Sequence, residues 1–406
     1  MQFLFAWRYF KSKKSTNAIN IIAWITVAAM AVGTAALIVV LSIFNGFEGL
    51  VKDLYASFYP DVRITARTGN RLLADSATLQ RLERVPGIAA FSCVAETNAH
   101  LQYNNFRVNA VLKAVDDRYA QVTGVGQYMG RGTFEVGTAE APALVLGMGI
   151  ENALNLLSDR AIDPVIVYLP RRGAALSANP MEAISTFPFQ PRGAFSIQQD
   201  FDNKYVLTHI DALRQLAGWE PHAVTAIEIK LLPGANEKTV REALTQMGGG
   251  NWLVENRYQQ NRSLFAVMQT EKWAIYAILS LILIIAAFNM IGALTMLVLE
   301  KEQDIQILKA LGATNGLIRR IFLAEGVLLA VAGSIIGTTV ALLFCYLQVR
   351  LKLIPLQGSF VIDYYPVQVL VTDLLLVAAT VLLIALLASW VPAGKAALRP
   401  IALKAQ

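Results

Sequence analysis

The residues best suited to chemistry are sparse. His100, His209 and His222 are too widely spaced for a local metal-ligand pair, and H-E-x-x-H is absent, so no metal is expected. The glycine-rich stretch 124–132 lacks both the spacing and the lysine of a phosphate loop, and G-x-x-x-x-G-K-[ST] occurs nowhere, so ATP is not expected to bind this chain by that route. No G-x-S-x-G elbow supplies a serine nucleophile. The paired acids Asp116-Asp117 and Asp200/Asp202 fit turns better than general acid–base work. Glu325 and Asp373 stand beside apolar runs, where an ionisable group is costly and marks an interhelical contact or a relay. Both lie near the ends of those runs, from which a carboxylate reaches the headgroup region. The chain is therefore expected to be no enzyme.

The elements that position these residues follow from composition. Of 406 residues 55% are hydrophobic and 16% charged, too apolar for an ordinary soluble enzyme and too polar for a wholly embedded chain. A few spans plus a sizeable soluble domain are implied. The net charge of +6 comes partly from Arg8, Lys11, Lys13 and Lys14 before the first apolar run and Lys395, Arg399 and Lys404 after the last. Basic flanks mark the cytoplasmic side, so the excess reports topology and no nucleic-acid partner is expected. Cys93 and Cys345 are too far apart in character to form a disulfide, the second lying within an apolar run.

The expected fold class is an α-helical membrane protein with four transmembrane helices and a large α+β extracytoplasmic, periplasmic domain between the first and second. The expected order is a basic cytoplasmic segment (1–17), a first span (18–47), the α+β domain (48–265), a second span (266–299), a cytoplasmic segment (300–320), a third span (321–349), a short outer loop (350–366), a fourth span (367–392) and a cytoplasmic tail (393–406). The apolar run 18–44 is far longer than a signal h-region and is expected to stay in the membrane. Asn45-Gly46 is expected to break it, with 47–59 continuing as an amphipathic helix.

Within the α+β domain, 61–66, 106–113, 165–169 and 226–231 read as strands, and 76–84 and 237–247 as helices. Pro180, Pro188, Pro191 and Gly193 make 179–193 an exposed loop or hairpin. The small residues Gly326, Gly333, Ser334 and Gly337 of the third span favour close helix packing over a pathway.

Residues 300–322, EKEQDIQILKALGATNGLIRRIF, form a charged island between two apolar stretches. Residues 303–311 favour a helix, Gly312 can end it in the left-handed conformation, and Thr314 or Asn315 can cap a second helix carrying Arg319 and Arg320. A solvated connector has no need of Ile305, Ile307, Leu308 and Leu311. Such apolar positions on a charged helix mark a contact surface.

The order of one span, outer domain and three spans resembles the FtsX/MacB-like permeases of ABC systems, and EKEQDIQILKALGAT resembles their coupling segment. Residues 17–48, 321–342 (IFLAEGVLLAVAGSIIGTTVAL) and 389–404 (SWVPAGKAALRPIALK) are similar to the LolC/LolE-type lipoprotein-releasing permeases. The resemblance implies a non-catalytic permease subunit of the bacterial inner membrane in a Gram-negative cell. A separate cytoplasmic ABC ATPase, acting as a dimer, binds ATP and Mg. A second permease chain, itself or a LolC/LolE-like paralogue, pairs with this one. The substrate is an acylated lipoprotein, passed to a periplasmic LolA-like carrier. Efflux as in MacB, or mechanical control of a periplasmic hydrolase as in FtsX, is the alternative.

On this reading Ile305, Ile307, Leu308 and Leu311 dock in the ATPase, while Glu302, Asp304 and Lys309 set the register by charge. Val40, Ile43, Phe44 and Phe47 of the first span and Phe265, Met268 and Tyr276 of the second shelter membrane lipids or the acyl chains. Phe189, Gln190 and Arg192, within FPFQPRGAFS, occupy the place of a carrier-binding loop.

Overall fold

The structure, a computed structural model, describes residues 17–170, 184–355 and 364–399; Arg8, Lys11, Lys13, Lys14, Lys404 and Pro180 lie outside them. The chain divides into two compact units, residues 51–265 and residues 17–50 with 266–355 and 364–399.

Helix α1 (Asn17–Phe58) runs without interruption through Asn45 and Gly46, where the sequence predicted a break. A glycine inside a helix costs about 1 kcal/mol relative to alanine. At position 46 a side chain would cost far more, because a Cβ there would lie 2.3 Å from the Pro366 carbonyl oxygen. The glycine permits close approach and does not stop the helix.

The first unit is α+β. Its strands are β1 (Val62–Ala66), β2 (Leu72–Leu73), β3 (Ile88–Tyr103), β4 (Phe106–Val115), β5 (Met129–Gly132), β6 (Ala143–Gly147), β7 (Val165–Pro170), β8 (Ile184–Phe195), β9 (Tyr205–His209), β10 (Ala223–Val224), β11 (Ala226–Leu231) and β12 (Trp252–Asn256). All but β2 and β10, which pair with each other, join one sheet in the order β12-β1-β11-β3-β4-β9-β6-β8-β5, with β7 pairing both β3 and β8. The pairings β3–β4, β4–β9, β9–β6, β6–β8, β8–β7 and β7–β3 therefore close on themselves, and β12 and β5 remain as the two edge strands outside that ring.

Alternation along β3 and β4 sends Ala95, Ala99, Leu101, Ala110, Leu112 and Ala114 into the apolar core. The opposite face carries Glu96 and Lys113, which pair across the two strands. The helix Ser76–Glu83 is capped by the Asp75 carboxylate accepting from the Thr78 amide, and the helix Glu237–Met247 by Asn236.

The second unit is helical. It comprises the first part of α1, most of α2 (Arg262–Glu300), the short α3 (Glu302–Ala310), α4 (Asn315–Leu351) and α5 (Val371–Leu398). Helices α1, α2, α4 and α5 are each long and apolar enough to cross a membrane. Helix α5 continues through Pro392, where the sequence predicted the end of a span. The glycines of α4 serve packing: a Cβ at Gly333 would lie 2.7 Å from the Val27 carbonyl oxygen, one at Gly337 2.3 Å from that of Ala31, and one at Gly326 against the Ser389 hydroxyl. Glu325 is only 2% exposed, so its carboxylate is packed within the unit and does not reach a surface.

Candidate functional site

Helix α3 is short, and its position is fixed by its own unit. Thr314 caps α4 by accepting from the Leu317 amide at 3.3 Å, and Gly312 turns the chain with φ +91°. The two faces of α3 differ. Ile305 is 2% exposed and packs with Leu297, Val298, Ile318, Phe322, Ala393 and Ala396, so this expected docking residue is part of the chain's own core. Glu302 accepts from Arg399 at 2.8 Å, and the Lys309 ammonium donates to the carbonyls of Ala397 at 2.9 Å and Arg399 at 2.5 Å. Lysine at those last carbonyls complements the negative end of α5. Glu302 and Lys309 thus anchor α3 to α5, where the sequence assigned them to a partner. Asp304 pairs with Lys301 at 3.0 Å and stays partly exposed.

On the other face Ile307 is 59% and Leu311 79% exposed, with Leu308 half-buried. Gln303, Ile307, Ala310 and Leu311 fall at helical spacing on one stripe, and Leu317 and the exposed Arg320 follow on α4. Arg319 is turned away, stacked 4.0 Å from the centre of the Trp390 ring. The result is a small apolar patch rimmed by charge, braced from behind and left uncovered by the described residues of the chain.

At the far end of the same unit, α1, α2 and α5 meet at a polar cluster. The Asn45 amide donates to Asp373 at 2.6 Å and accepts from the Lys272 ammonium at 2.8 Å, and Lys272 lies 3.3 Å from the Asp373 carboxylate. Farther along α2 and α5, the hydroxyls of Tyr276 and Thr380 bond to each other. Asp373 is thus an interhelical contact, one of the two readings its sequence position allowed. Lys272 was missed, although a lysine immediately before a charge-free apolar run is the signal that finds it.

Among the expected shelter residues, Met268 is buried and offers no open apolar surface, whereas Tyr276 is half-buried with its hydroxyl turned to Thr380 of α5. Val40, Ile43, Phe44 and Phe47 are half-buried and keep some. Phe265 belongs to the sheet unit, where it packs edge-on against Tyr258 with centroids 5.0 Å apart.

The expected carrier loop is largely a strand. Pro188 and Pro191 sit inside β8, opposite Ile166 of β7 and Leu144 of β6, with a register shift beside Pro191. Phe189 is 0% exposed in the core, and the Gln190 amide donates to the Ala161 carbonyl at 2.8 Å. Only Arg192 of the three is exposed. Strands β7 and β8 form a hairpin whose connection, 171–183, falls outside the described residues.

The sheet unit also holds a buried charge cluster that the sequence did not reveal. Lys113 lies 2.8 Å from Glu228 and 3.7 Å from Glu96, and Arg63 lies 3.0 Å from Glu96. Phe58, the last residue of α1, covers it with its ring centre 4.7 Å from the Lys113 ammonium and stacks on Phe201. Burial works against the Lys113 charge, but Glu228, Tyr119 and Glu96 together raise its pKa. Burial likewise works against the Glu96 carboxylate, but Arg63 and Lys113 hold its pKa below the ordinary value. A groove of about 830 Å³ on this unit is lined by Asn98, His100, Asn109, Tyr168, Ile184 and Lys204 among others, and no site residue expected from the sequence borders it. Among the described residues no group of three His, Cys, Asp or Glu side chains is placed to hold a metal.

The profile of a family described as MacB-like periplasmic core domain matches residues 23–247, more than half of the chain. The chain belongs to this MacB-like family. A second profile, FtsX-like permease C-terminal, matches residues 276–401, so the two together span both units. The chain is 25% identical over 414 residues to the lipoprotein-releasing system transmembrane protein LolE of Haemophilus influenzae, covering 97% of this chain and 96% of that one. It is 26% identical over 408 residues to the LolC protein of the same description from Neisseria meningitidis serogroup B, covering 96% and 95%. A macrolide export ATP-binding/permease protein, MacB 1/2 of Paracoccus denitrificans, is 24% identical over 88% of this chain and 52% of its own length. The solved periplasmic region of MacB from Actinobacillus actinomycetemcomitans aligns at 14% identity with a TM-score of 0.37, covering 53% of this chain and 97% of that one. The LolC/LolE likeness expected from the sequence therefore extends over nearly the whole chain, the outer domain included.

Proposed function

We propose that the chain is the permease subunit of an ABC transporter of the LolC/LolE type, and that it releases acylated lipoproteins from the inner membrane to a periplasmic carrier. The observation that carries the coupling is the exposed Ile307–Leu311 stripe on a helix braced by Ile305, Glu302 and Lys309. The near full-length likeness to lipoprotein-releasing permeases supports the substrate class.

A separate ATPase subunit, with ATP and Mg, docks on the stripe from the cytoplasm. Closure of two such subunits pushes on α3. Because α3 is tied to α5 by ionic and carbonyl contacts and to α2 and α4 by Ile305, the push moves spans and is not lost in loop flexing. Acyl chains each carry about 0.8 kcal/mol per buried CH₂, so extraction needs an apolar shelter as well as external work. The half-buried Val40, Ile43, Phe44 and Phe47 of α1 are the best-placed residues for that shelter. The partner for this face is a second permease chain, the same or a paralogue. Arg192, exposed on β8, is retained as a carrier contact.

The test is depletion of the chain followed by membrane fractionation. Retention of outer-membrane lipoproteins in the inner membrane is the expected result. Normal sorting with a lost tolerance to exported amphiphiles would favour MacB-like efflux instead.

A further inference from the structure

The cluster at Asn45, Lys272 and Asp373 has an asymmetry with a mechanical meaning. Lys272 of α2 and Asp373 of α5 are opposite charges 3.3 Å apart, in a unit whose surroundings are apolar. The Tyr276–Thr380 contact joins the same two helices a second time. Helix α1 enters this pair through a neutral side chain: Asn45 gives its amide N–H to Asp373 and its carbonyl oxygen to Lys272. If α1 moved away, the charges would still compensate each other. Had α1 supplied one of the charges, the same motion would part an ion pair that is mostly shielded from solvent and leave one charge without its partner, which is the costlier arrangement.

The surroundings fit a contact made to close and reopen. The Gln368 amide donates to the Ser42 carbonyl at 2.9 Å, and the absent side chain of Gly46 lets α1 lie against the Pro366 backbone. These contacts act at short range and hold only while α1 is seated. Asn45 itself is buried.

We propose that Asn45, Lys272 and Asp373 form a releasable latch that holds the outer end of α1 against α2 and α5, and that ATP-driven motion of the spans opens it. The proposal rests on the transport reading for its second clause only. Lys272 and Asp373 are the fixed half, and Asn45 is the half that leaves. Opening frees the α1 segment from Val40 to Phe47, the stretch assigned to lipid shelter.

The latch can be read by disulfide formation in membranes containing the full chain. A Cβ at Gly49 lies 3.3 Å from the Gln368 side-chain oxygen, so the two positions face each other, and the oxidation rate of the pair Gly49→Cys with Gln368→Cys, referred to the Asn45 parent, reports whether α1 is seated. Both native thiols, Cys93 and Cys345, are buried. Without ATP, adding Asn45→Leu, which keeps the side-chain size and removes two hydrogen bonds to charged groups, is expected to slow oxidation on the order of tenfold or more. Asn45→Gln, which keeps the amide, is expected to retain most of the rate, and chain abundance is to be matched between variants. An unchanged rate in Asn45→Leu overturns the latch. With the ATPase partner present and hydrolysing, ATP is expected to slow oxidation in the Asn45 parent and to have little further effect in Asn45→Leu. Equal rates with and without ATP in an actively releasing preparation overturn the opening step. The ATP-independent contrast stands apart from the transport reading, which fails instead if no ATPase co-isolates with the chain.

Discussion

Replacing Ile307 and Leu311 together by aspartate separates docking from folding. The two residues leave 59% and 79% of their surface open. Full burial of such a side chain contributes about 1.5–3 kcal/mol, so what remains for a partner is about 1–2 kcal/mol for each and about 2–4 kcal/mol for the pair. At 1.4 kcal/mol per tenfold, affinity for the ATPase should fall by roughly 30-fold to 1,000-fold. The assay is titration of the purified ATPase against the full chain in detergent or nanodiscs, with chain abundance and thermal midpoint followed in parallel. Abundance and midpoint should stay near the parent, because neither side chain packs into the unit. Ile305→Ala provides the contrast. That residue fills the Leu297–Ile318–Phe322 cluster, and its truncation should destabilise the chain by about 2–5 kcal/mol. Unchanged ATPase affinity in the double aspartate variant would refute the coupling surface. An equal loss of stability in both variants would refute the two-faced reading of α3.

Three further outcomes follow from the same geometry. Lys113→Met should lower the thermal stability of the chain by about 3–5 kcal/mol by leaving Glu228 buried without its cation, and adding Glu228→Gln should recover part of the loss in the same unfolding measurement. The pH dependence has a definite sign: Glu96 has a lowered pKa in the fold, so its contribution is present above its unfolded value of about 4.3 and is lost as pH falls through the folded value. Lys113 has a raised pKa, so its contribution is full below about 10.4 and is lost only as pH rises through the folded value. Unfolding midpoints measured against pH should therefore drop at acid pH in the parent, with a shallower acid limb in Glu96→Gln. In the membrane unit, Gly337→Val should reduce folded chain recovered from membranes because its Cβ meets the Ala31 carbonyl, whereas Gly292→Ala, with nothing within 4 Å, should leave recovery unchanged.

Much of the architecture was legible because its signals are local. Uninterrupted apolar runs revealed four span-length helices, and Gly312 with Thr314 revealed the turn between α3 and α4. The strand runs at 106–113 and 226–231 lie within β4 and coincide with β11. What was misread depends on distant partners. Gly46 looked like a breaker because its propensity is visible and the Pro366 backbone that requires it is not. Pro188 and Pro191 marked an exposed loop or hairpin; β8 does pair with β7 as a hairpin, but both prolines lie within its strand and Phe189 between them is buried, which the local sequence does not show. Ile305 and Ile307 are equivalent by residue type and differ only in which side of α3 meets α2, α4 and α5. The pair Lys113–Glu228 joins residues 115 apart in sequence, and no spacing rule reaches that far.

The central claim is release of an acylated substrate, and reconstitution measures it directly. Proteoliposomes holding the full chain, its permease partner, the ATPase and a triacylated lipoprotein are incubated with a soluble carrier. The account predicts ATP-dependent appearance of the lipoprotein in the carrier fraction, abolished by the Ile307→Asp/Leu311→Asp variant. Lipoprotein that stays in the bilayer while ATP is hydrolysed and a soluble amphiphile is exported would contradict it.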